Sequence, residues 1–171
     1  VELTNLIIPG ANDSEDEISR MCVWIFENVG PDVPIHFTAF HPDFKMTDRN
    51  ATTHATLESA YEIARRAGLN YVYVGNVHDV KRQSTFCPGC GELLIERDWH
   101  HLGVYQLKGN QCGKCGHTIA GVFNERPGNW GAKRQRVQIT PAIHSIERPA
   151  KPDTSTETQQ ERGGSKMKSL T

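Results

Sequence analysis

The sequence predicts an α/β fold followed by a small cysteine-rich β lobe, on the strength of three observations. Short apolar runs alternate with segments of helical periodicity through residues 1–82. Two CxxC pairs follow, and the composition becomes polar and irregular after residue 140. The order strand, helix, strand, helix, strand implies parallel strands joined by right-handed crossovers. A small open sheet and the last part of a (β/α) barrel both fit this order.

The first strand is predicted over residues 3–8, a mostly apolar run ended by Pro9-Gly10. Ser14 and Glu17 have the spacing of a capping box, which predicts that a helix begins there. Apolar residues then recur at helical period until Gly30-Pro31, where the helix is expected to end. Cys22 falls on the apolar side of this helix and is predicted to be a small core residue.

Two further strands and a second helix complete the predicted sheet. Residues 33–40 form a second apolar run, and residues 70–74 form a third that ends at Gly75-Asn76. Between them, residues 53–67 have helical spacing, and Gly68 follows as a stop signal. Within the second strand, His36 and Thr38 should share one face while Phe37 takes the other.

Ligands of such sheets bind at the loops after the carboxyl ends of the strands. The corresponding loops here are residues 9–13, 41–45 and 75–79. Polar side chains collect in them: Asn12, Asp13, His41, Asp43, Lys45, Asn76, His78 and Asp79. These loops are the predicted binding edge.

Two cysteine pairs are the most specific signal in the chain. Cys87 and Cys90 form one CxxC, Cys112 and Cys115 form the other, and 21 residues lie between the pairs. Each pair is followed by a glycine, and the whole pattern is typical of a four-cysteine zinc ribbon or a rubredoxin-like site. Zinc is the favoured ion and iron the alternative. Four protein thiolates leave no open position, so such a site stabilises and does not catalyse.

Composition narrows the class of protein. The chain has 171 residues, a net charge of −1 and a pI near 6.8, which argues against a general nucleic-acid partner. It contains no apolar run long enough to span a membrane and no visible export signal, which together with the CxxC pairs favours the cytoplasm. Because the sequence opens directly on a strand, we expect a piece of a longer polypeptide. The predicted domains are a sheet-and-helix part over 1–82, a metal lobe over 83–125, a basic irregular extension over 126–140 and a disordered tail over 141–171.

Four segments together resemble a known family. Residues 6–13, LIIPGAND, resemble the PG-x-ND loop late in the barrel of radical SAM enzymes of the pyruvate formate-lyase activating type. Residues 34–46, PIHFTAFHPDFKM, resemble the P-x-HF-x-x-FHPD-[YF]-K segment of one branch, and residues 71–77, YVYVGNV, resemble its YVYVGN strand end. The two CxxC pairs follow in the expected order. The chain is similar, over residues 1–125, to the AmmeMemoRadiSam-system radical SAM proteins.

This resemblance implies a fold and a function. The fold would be a partial (β/α) barrel, of which residues 1–82 are the carboxyl-terminal part, followed by a zinc-ribbon-like lobe. The full protein would reductively cleave S-adenosylmethionine with a [4Fe–4S] cluster held by a CxxxCxxC motif. No CxxxCxxC occurs in this sequence, so cluster and S-adenosylmethionine are expected only in the full-length protein, and this chain alone is expected to be inactive.

The same resemblance suggests cofactor contacts and partners. Pro9 and Gly10 would let the backbone approach the adenine, and Asn76 would contribute a loop contact. His41 would lie near the methionine or ribose part of S-adenosylmethionine, with His36 as the other candidate. The expected partners are the missing amino-terminal barrel portion and a Memo-like or other AmmeMemoRadiSam-system protein.

Plainer interpretations compete for several of these residues. His36 would otherwise be a hydrogen-bonded core histidine, His41 a loop residue held by Asp43, and Asn12 and Asp13 helix caps. Two other functions also fit the cysteines: a zinc-ribbon module that binds nucleic acid or protein, and a rubredoxin-like iron site for electron transfer.

Overall fold

The computed structural model of the chain describes residues 1–128 and Gly131, all within one compact unit, Val1–Gln135. The predicted tail over 141–171, and all of the predicted basic extension over 126–140 except residues 126–128 and Gly131, lie outside the described residues.

The described part is a mixed α/β structure. Its first half contains a three-stranded parallel sheet with strand order β1-β2-β3. The alternating elements are β1 (Leu3–Ile7), α1 (Glu15–Asn28), β2 (Ile35–Ala39), α2 (His54–Arg66) and β3 (Val72–Gly75). This order confirms the predicted strand–helix alternation, with bounds within two residues of those predicted for both helices and all three strands.

Both helices begin at capped residues. The hydroxyl of Ser14 accepts a 3.3 Å hydrogen bond from the amide of Glu17, as the capping-box spacing predicts. The hydroxyl of Thr53 accepts a 3.1 Å bond from the amide of Thr56 and so caps α2. Each cap satisfies an amide that the first helical turn leaves without an intrahelical partner.

One face of the sheet packs against both helices. Phe37 and Ile7 are fully buried there, as is Cys22 of α1, which confirms the prediction that Cys22 is a core residue. Burial raises the pKa of the Cys22 thiol to about 11, so this thiol stays protonated and inert. The hydroxyl of Ser59 on α2 donates a 2.7 Å hydrogen bond to Glu15 on α1, and the two helices therefore lie side by side.

The opposite face of the sheet, the open face, is not covered by α1 or α2. His36 and Thr38 lie on it, partly exposed, while Phe37 between them is buried, as the strand period predicts. His36 pairs with Thr4 of β1 and Tyr73 of β3 in register, so these residues form one row across the open face.

The second half of the described chain begins with a short helix that the sequence did not predict, α3 (Val80–Gln83). Five short strands follow it, and they form a three-stranded antiparallel sheet, β4-β5-β6, and a two-stranded hairpin, β7-β8. Their bounds are β4 (Thr85–Phe86), β5 (Leu93–Asp98), β6 (His101–Tyr105), β7 (Leu107–Lys108) and β8 (Gln111–Cys112). We refer to residues 85–123 as the cysteine lobe.

The cysteine lobe has its own small core, which Tyr71 joins to the sheet. Leu94 and Ile119 are almost completely buried in it, beside Cys87 and Cys112. Tyr71, just before β3, belongs to this cluster, and its hydroxyl accepts a 3.3 Å hydrogen bond from the amide of Ala120. Among the described residues, no helix is long and apolar enough to cross a membrane.

Candidate functional site

The four predicted cysteines converge on one point of the cysteine lobe. The Sγ atoms of Cys87, Cys90, Cys112 and Cys115, the four-cysteine cluster, all lie within 4.8 Å of one another. The Sγ atoms of Cys87 and Cys115 are 3.6 Å apart, and those of Cys90 and Cys112 are 3.8 Å apart. A tetrahedral ion with zinc–sulfur bonds of about 2.3 Å needs sulfur–sulfur separations of about 3.8 Å. The cluster therefore has the donor set and the spacing of a metal site.

The two CxxC turns have the same backbone design. In the first, the amide of Gly91 donates to the carbonyl of Cys87 at 2.9 Å, and the amide of Cys87 donates to Glu92 at 2.8 Å. In the second, Gly116 donates to Cys112 at 2.9 Å, and Cys112 donates to His117 at 2.9 Å. The equivalent positions bond in the same way, so two matching turns face each other across the cluster.

Each turn depends on a glycine in the left-handed region. Gly91 has a φ of 72° and Gly116 a φ of 74°, and a Cβ at either position would meet nothing within 4 Å. A side chain would therefore fit in space, but the backbone conformation disfavours it. The glycine that follows each CxxC pair in the sequence is explained by this conformation.

The thiols of the cluster influence each other's ionisation. The amide of Cys115 donates to Cys112 and lowers the pKa of that thiol to about 6. The amide of Glu92 lowers the pKa of Cys90, but Cys115 and burial together raise it to about 12. Burial raises the pKa of Cys87. Cys112 therefore ionises readily while Cys87 and Cys90 resist ionisation, and a bound cation would favour the thiolate form at both.

A salt bridge also links the two turns. The ammonium of Lys114, in the second CxxC, lies 2.5 Å from a carboxylate oxygen of Glu92, just after the first. This contact is mostly exposed at Lys114, so we assign it a small share of the stability of the lobe.

A second group of predicted residues lies at the carboxyl edge of the parallel sheet. A guanidinium nitrogen of Arg49 donates a 2.9 Å hydrogen bond to the carbonyl of Pro9. A Cβ added to Gly10 would lie 3.4 Å from the same nitrogen, so this guanidinium packs closely on the loop. The side-chain amide of Asn76 donates to the carbonyl of Ala39 at 3.1 Å. Pro9, Gly10 and Asn76 therefore stand along one edge, as the sequence predicts for residues that follow parallel strands.

The loop after β1 is held by its own polar side chains. Asn12 accepts from the amide of Ile8 at 2.7 Å and donates to the carbonyl of Leu6 at 3.0 Å. Asp13 accepts from the amide of Gly10 at 2.9 Å. Asn12 and Asp13 thus shape the loop and do not cap α1, a role that Ser14 fills. The interpretation of both as helix caps is therefore wrong.

Thr52 joins the ends of β1 and β2 at this edge. Its hydroxyl donates to the carbonyl of Ile7 at 2.5 Å and accepts from the amide of Phe40 at 2.9 Å. Thr52 is 7 % exposed, so both bonds satisfy groups that water reaches poorly.

The two candidate histidines lie in different surroundings. His41 follows β2 at the carboxyl edge and is exposed, and the nearby carboxylate of Asp43 accepts from the amide of Phe44 at 2.6 Å. His36 lies near the start of β2, three residues before the strand ends, which is about 10 Å along the strand. Its ring stacks on Tyr73 with centroids 5.0 Å apart, and its Nε2 lies 3.3 Å from Glu2. The structure does not bring His36 to the edge where Pro9, Gly10 and Asn76 lie.

One polar network at the same edge escaped prediction. The carboxylate of Asp79, whose side chain is 7 % exposed, lies 3.0 Å from Nε2 of His54 and accepts from Arg82 at 2.8 Å. Arg82 also pairs with Glu58. Asp79 and His54 are 25 residues apart, and neither lies in a local motif, so only the fold brings them together. The sequence did place Asp79 among the polar residues of the predicted binding edge, and the position of His54 at the first turn of α2 was the other usable signal.

Comparison with known proteins gives one informative match. The chain is 41 % identical over 121 residues to the uncharacterized protein MJ0808 of Methanocaldococcus jannaschii. The alignment covers 70 % of this chain and 36 % of that protein, so the chain spans about a third of the length of the relative it matches. No protein-family model matches the chain, and no solved structure matches it. The chain therefore shares most of its described part with a segment of a considerably longer archaeal protein.

Proposed function

We propose that this chain is the carboxyl-terminal part of a radical SAM enzyme of the pyruvate formate-lyase activating type, carrying a structural zinc site. The observation that carries the proposal is the position of the three motifs that resemble this family. PGAND follows β1, HPDFK follows β2, and the Gly75-Asn76 pair ends β3. All three therefore meet at one edge of a parallel sheet, which is where such sheets bind ligands.

The arrangement of the helices supports a barrel as the parent fold. In a (β/α) barrel the helices cover one face of the sheet and the other face lines the interior. Here α1 and α2 both pack on one face and leave the open face to His36, Thr38 and Tyr73. β1 pairs with β2 along one side, and among the described residues no strand pairs with its other side, where a preceding barrel strand would fit. The longer relative is consistent with further strands elsewhere in the polypeptide.

The four-cysteine cluster fits zinc, and we propose that it forms a zinc-ribbon-like site. Its four sulfurs occupy all positions of a tetrahedral ion, so the metal would stabilise the lobe and leave no site for substrate. A closed thiolate site of this kind couples metal binding to folding. Iron in the same four positions is the alternative, which would indicate a rubredoxin-like centre.

At the carboxyl edge, the chain's own residues would form one wall of an S-adenosylmethionine site. The backbone at Pro9-Gly10, held by Arg49, would approach the adenine, and Asn76 would bind from the end of β3. Of the two histidines, we favour His41, because it lies at this edge and is exposed, whereas His36 is about three strand residues away. A neutral imidazole at His41 could donate one hydrogen bond and accept another.

The chain cannot bind the iron–sulfur cluster of this reaction by itself. Four of its five cysteines form the four-cysteine cluster, and the fifth, Cys22, is buried in the core. No CxxxCxxC occurs in its sequence. The proposed partners are therefore an amino-terminal barrel portion and, in the cytoplasm, a Memo-like or other AmmeMemoRadiSam-system protein. The iron–sulfur cluster, bound elsewhere in the whole protein, would supply the electron that cleaves S-adenosylmethionine.

The decisive experiment uses the longer polypeptide that contains this chain. We expect it to bind a [4Fe–4S] cluster and, with a chemical reductant, to release 5′-deoxyadenosine from S-adenosylmethionine. Replacing His41 with alanine should weaken S-adenosylmethionine binding, and the same change at His101, an exposed histidine of the cysteine lobe, serves as the control. A longer polypeptide without a CxxxCxxC motif, or one that loads a cluster yet leaves S-adenosylmethionine intact, would refute the proposal.

A simpler measurement tests the metal on the chain itself. Elemental analysis and the visible spectrum of the purified chain should give one zinc per chain and no colour. Iron with thiolate absorption would replace the structural interpretation with electron transfer.

A further inference from the structure

A groove of about 830 Å³ runs along β3 between the open face of the sheet and the cysteine lobe; we call it the β3 groove. This volume falls within the range of pockets that bind small molecules. His36 and Tyr73 line it from the sheet, and Arg97, Trp99 and His100 line it from the lobe. The groove thus combines aromatic surface with a permanent positive charge.

Arg97 supplies that charge in a fixed position. Its Nη1 donates to the hydroxyl of Thr85 at 2.5 Å and reaches the carbonyl of Gln83 at 3.5 Å, and its guanidinium lies 5.6 Å from the ring centre of Tyr73. Within the described part of the chain, neither Nε nor Nη2 has a hydrogen-bond acceptor, and no carboxylate forms an ion pair with Arg97. The edge of the guanidinium that binds carboxylates and phosphates in a bidentate manner is therefore available.

The acidic residues of the groove do not neutralise Arg97. Glu2 lies 3.3 Å from His36, and Asp32 accepts a 2.8 Å hydrogen bond from Asn70. Both carboxylates are therefore engaged elsewhere, at the amino ends of the strands. The groove as a whole therefore carries both signs of charge, but within the described residues neither carboxylate pairs with Arg97, so its guanidinium is locally available to an anion.

Trp99 is unusual for its place in the fold. It occupies the two-residue turn between β5 and β6 with a φ of 53°, a conformation that bulky side chains rarely adopt and that turns usually give to glycine or asparagine. Its side chain is about half exposed at the rim of the groove, so core packing does not explain it. A large aromatic residue held against its conformational preference at a rim suggests a binding role.

We propose that the β3 groove binds a small molecule that carries both a planar ring and an anionic group. The anion, a carboxylate or a phosphate, would pair with the free edge of Arg97, and the ring would lie against Trp99 at the rim. Arg97 and Trp99 belong to the cysteine lobe, which the radical SAM proposal uses only to hold a metal, but Asn76 and His36 also line the groove. The groove therefore adjoins the proposed S-adenosylmethionine wall, and the tests distinguish the two proposals: Arg97→Gln and Trp99→Asn should weaken phenyl phosphate binding, whereas His41→Ala should weaken S-adenosylmethionine binding.

The test uses the zinc-loaded full chain and three probes, followed by nuclear magnetic resonance of the Trp99 indole and Arg97 Nε–H groups. Phenyl phosphate carries ring and charge, inorganic phosphate carries charge alone, and benzyl alcohol carries the ring alone. Phenyl phosphate should shift both signals in a saturable manner with a Kd on the order of 1–10 mM, given its few atoms. Each partial probe should bind at least about tenfold more weakly, since one of the two contacts is lost.

Two variants and one control make the test specific. Trp99→Asn suits the turn better than tryptophan, so the fold should be retained while phenyl phosphate binding falls about fivefold or more. Arg97→Gln should reduce binding at least tenfold, and Arg66→Gln, on the exposed side of α2, should leave it unchanged.

Three results would overturn the proposal. Binding of inorganic phosphate as tight as that of phenyl phosphate would exclude a role for the ring. Shifts confined to residues outside the groove would place the site elsewhere. Unchanged binding in a folded Trp99→Asn protein, together with unchanged binding after Arg97→Gln, would show that neither side chain contacts phenyl phosphate.

Discussion

The hydroxyl of Tyr73 lies 2.9 Å from the hydroxyl of Thr85, and this hydrogen bond ties the last strand of the parallel sheet to the cysteine lobe. Thr85 is 4 % exposed, and its hydroxyl also accepts from Arg97. The contact therefore belongs to a partly buried series of hydrogen bonds, from Tyr73 through Thr85 to Arg97, at the junction of sheet and lobe.

Replacing Tyr73 with phenylalanine should lower the free energy of unfolding by about 1 kcal/mol. The change removes one partly buried hydrogen bond and keeps the ring that stacks on His36. Urea unfolding followed by circular dichroism would measure it. Tyr61→Phe is the matched control, since no described residue hydrogen-bonds the Tyr61 hydroxyl and its ring is also partly buried. Equal losses in the two variants would mean that the Tyr73 hydroxyl contributes nothing specific.

Thr52→Val should destabilise the chain by about 1–3 kcal/mol. Valine keeps the shape of the side chain but leaves the carbonyl of Ile7 and the amide of Phe40 without the hydroxyl that now bonds both. Thermal unfolding would detect the loss, with Thr47→Val in the exposed loop after β2 as the control. A neutral Thr52→Val would imply that water replaces the hydroxyl and that the ends of β1 and β2 do not depend on it.

Cys112→Ser should abolish metal binding and unfold the cysteine lobe, while the sheet of β1, β2 and β3 with its helices remains folded. Serine is a poor ligand for zinc, and Cys112 is also part of the small core of the lobe. Metal content and amide exchange of each half would be measured together. Cys22→Ala, a change at the buried cysteine outside the cluster, should keep the full metal content. If Cys112→Ser lost as much helical circular dichroism as globally unfolded protein, the sheet with its helices and the cysteine lobe would not be independent.

Gly91→Ala should weaken the metal site by about 1–2 kcal/mol, although nothing stands in the way of the added methyl group. The cost arises from the φ of 72°, which an L-residue with a Cβ adopts poorly. Gly91→Asn should cost less, because asparagine tolerates this conformation. Competition with a zinc chelator would rank the three proteins, and Gly116→Ala should match Gly91→Ala. An alanine variant that binds zinc as tightly as the parent would show that the turn adapts.

The Asp79 network should give the fold an acid-sensitive component. Burial acts to raise the pKa of Asp79, but the amide and guanidinium of Arg82, with His54, outweigh it and lower the pKa below its usual 3.8. A carboxyl with a lowered folded-state pKa stabilises the fold above its unfolded pKa, and this stabilisation is lost as pH falls from about 4 through the folded value. Asp79→Asn should therefore remove part of the decline in stability below about pH 4.

The Asp79 measurement compares unfolding midpoints of the two proteins across the acid range. Acid also protonates thiolates of the four-cysteine cluster, but this affects both proteins alike, so the difference between them isolates the carboxyl. Parallel curves for the parent and Asp79→Asn would contradict the prediction.

Local patterns were enough to predict the first half of the fold. Helical spacing and the Ser14 cap located α1, the segment after Thr53 located α2, and the CxxC spacing identified the four cysteines that cluster. Each of these signals lies within a few residues of sequence, where propensity and periodicity act.

Contacts made only by the folded chain were not predictable in this way. α3 has four residues, too few for a periodic pattern, and the bond between Asp79 and His54 spans 25 positions. The β3 groove likewise depends on Arg97 and Tyr73 meeting across two sheets. Such pairs depend on tertiary geometry, and no short window of a single sequence predicts them.

The matching backbone of the two CxxC turns has a consequence for the kinetics of metal exchange. Each turn is a preformed two-sulfur chelate, so an incoming ion would bind one turn first and meet the second at a high effective concentration set by the intervening residues 91–111. Release would run in reverse, with one turn opening while the other retains the ion. A chelator could then intercept a half-bound ion, and the rate of metal loss should rise with chelator concentration instead of reaching a plateau set by spontaneous dissociation.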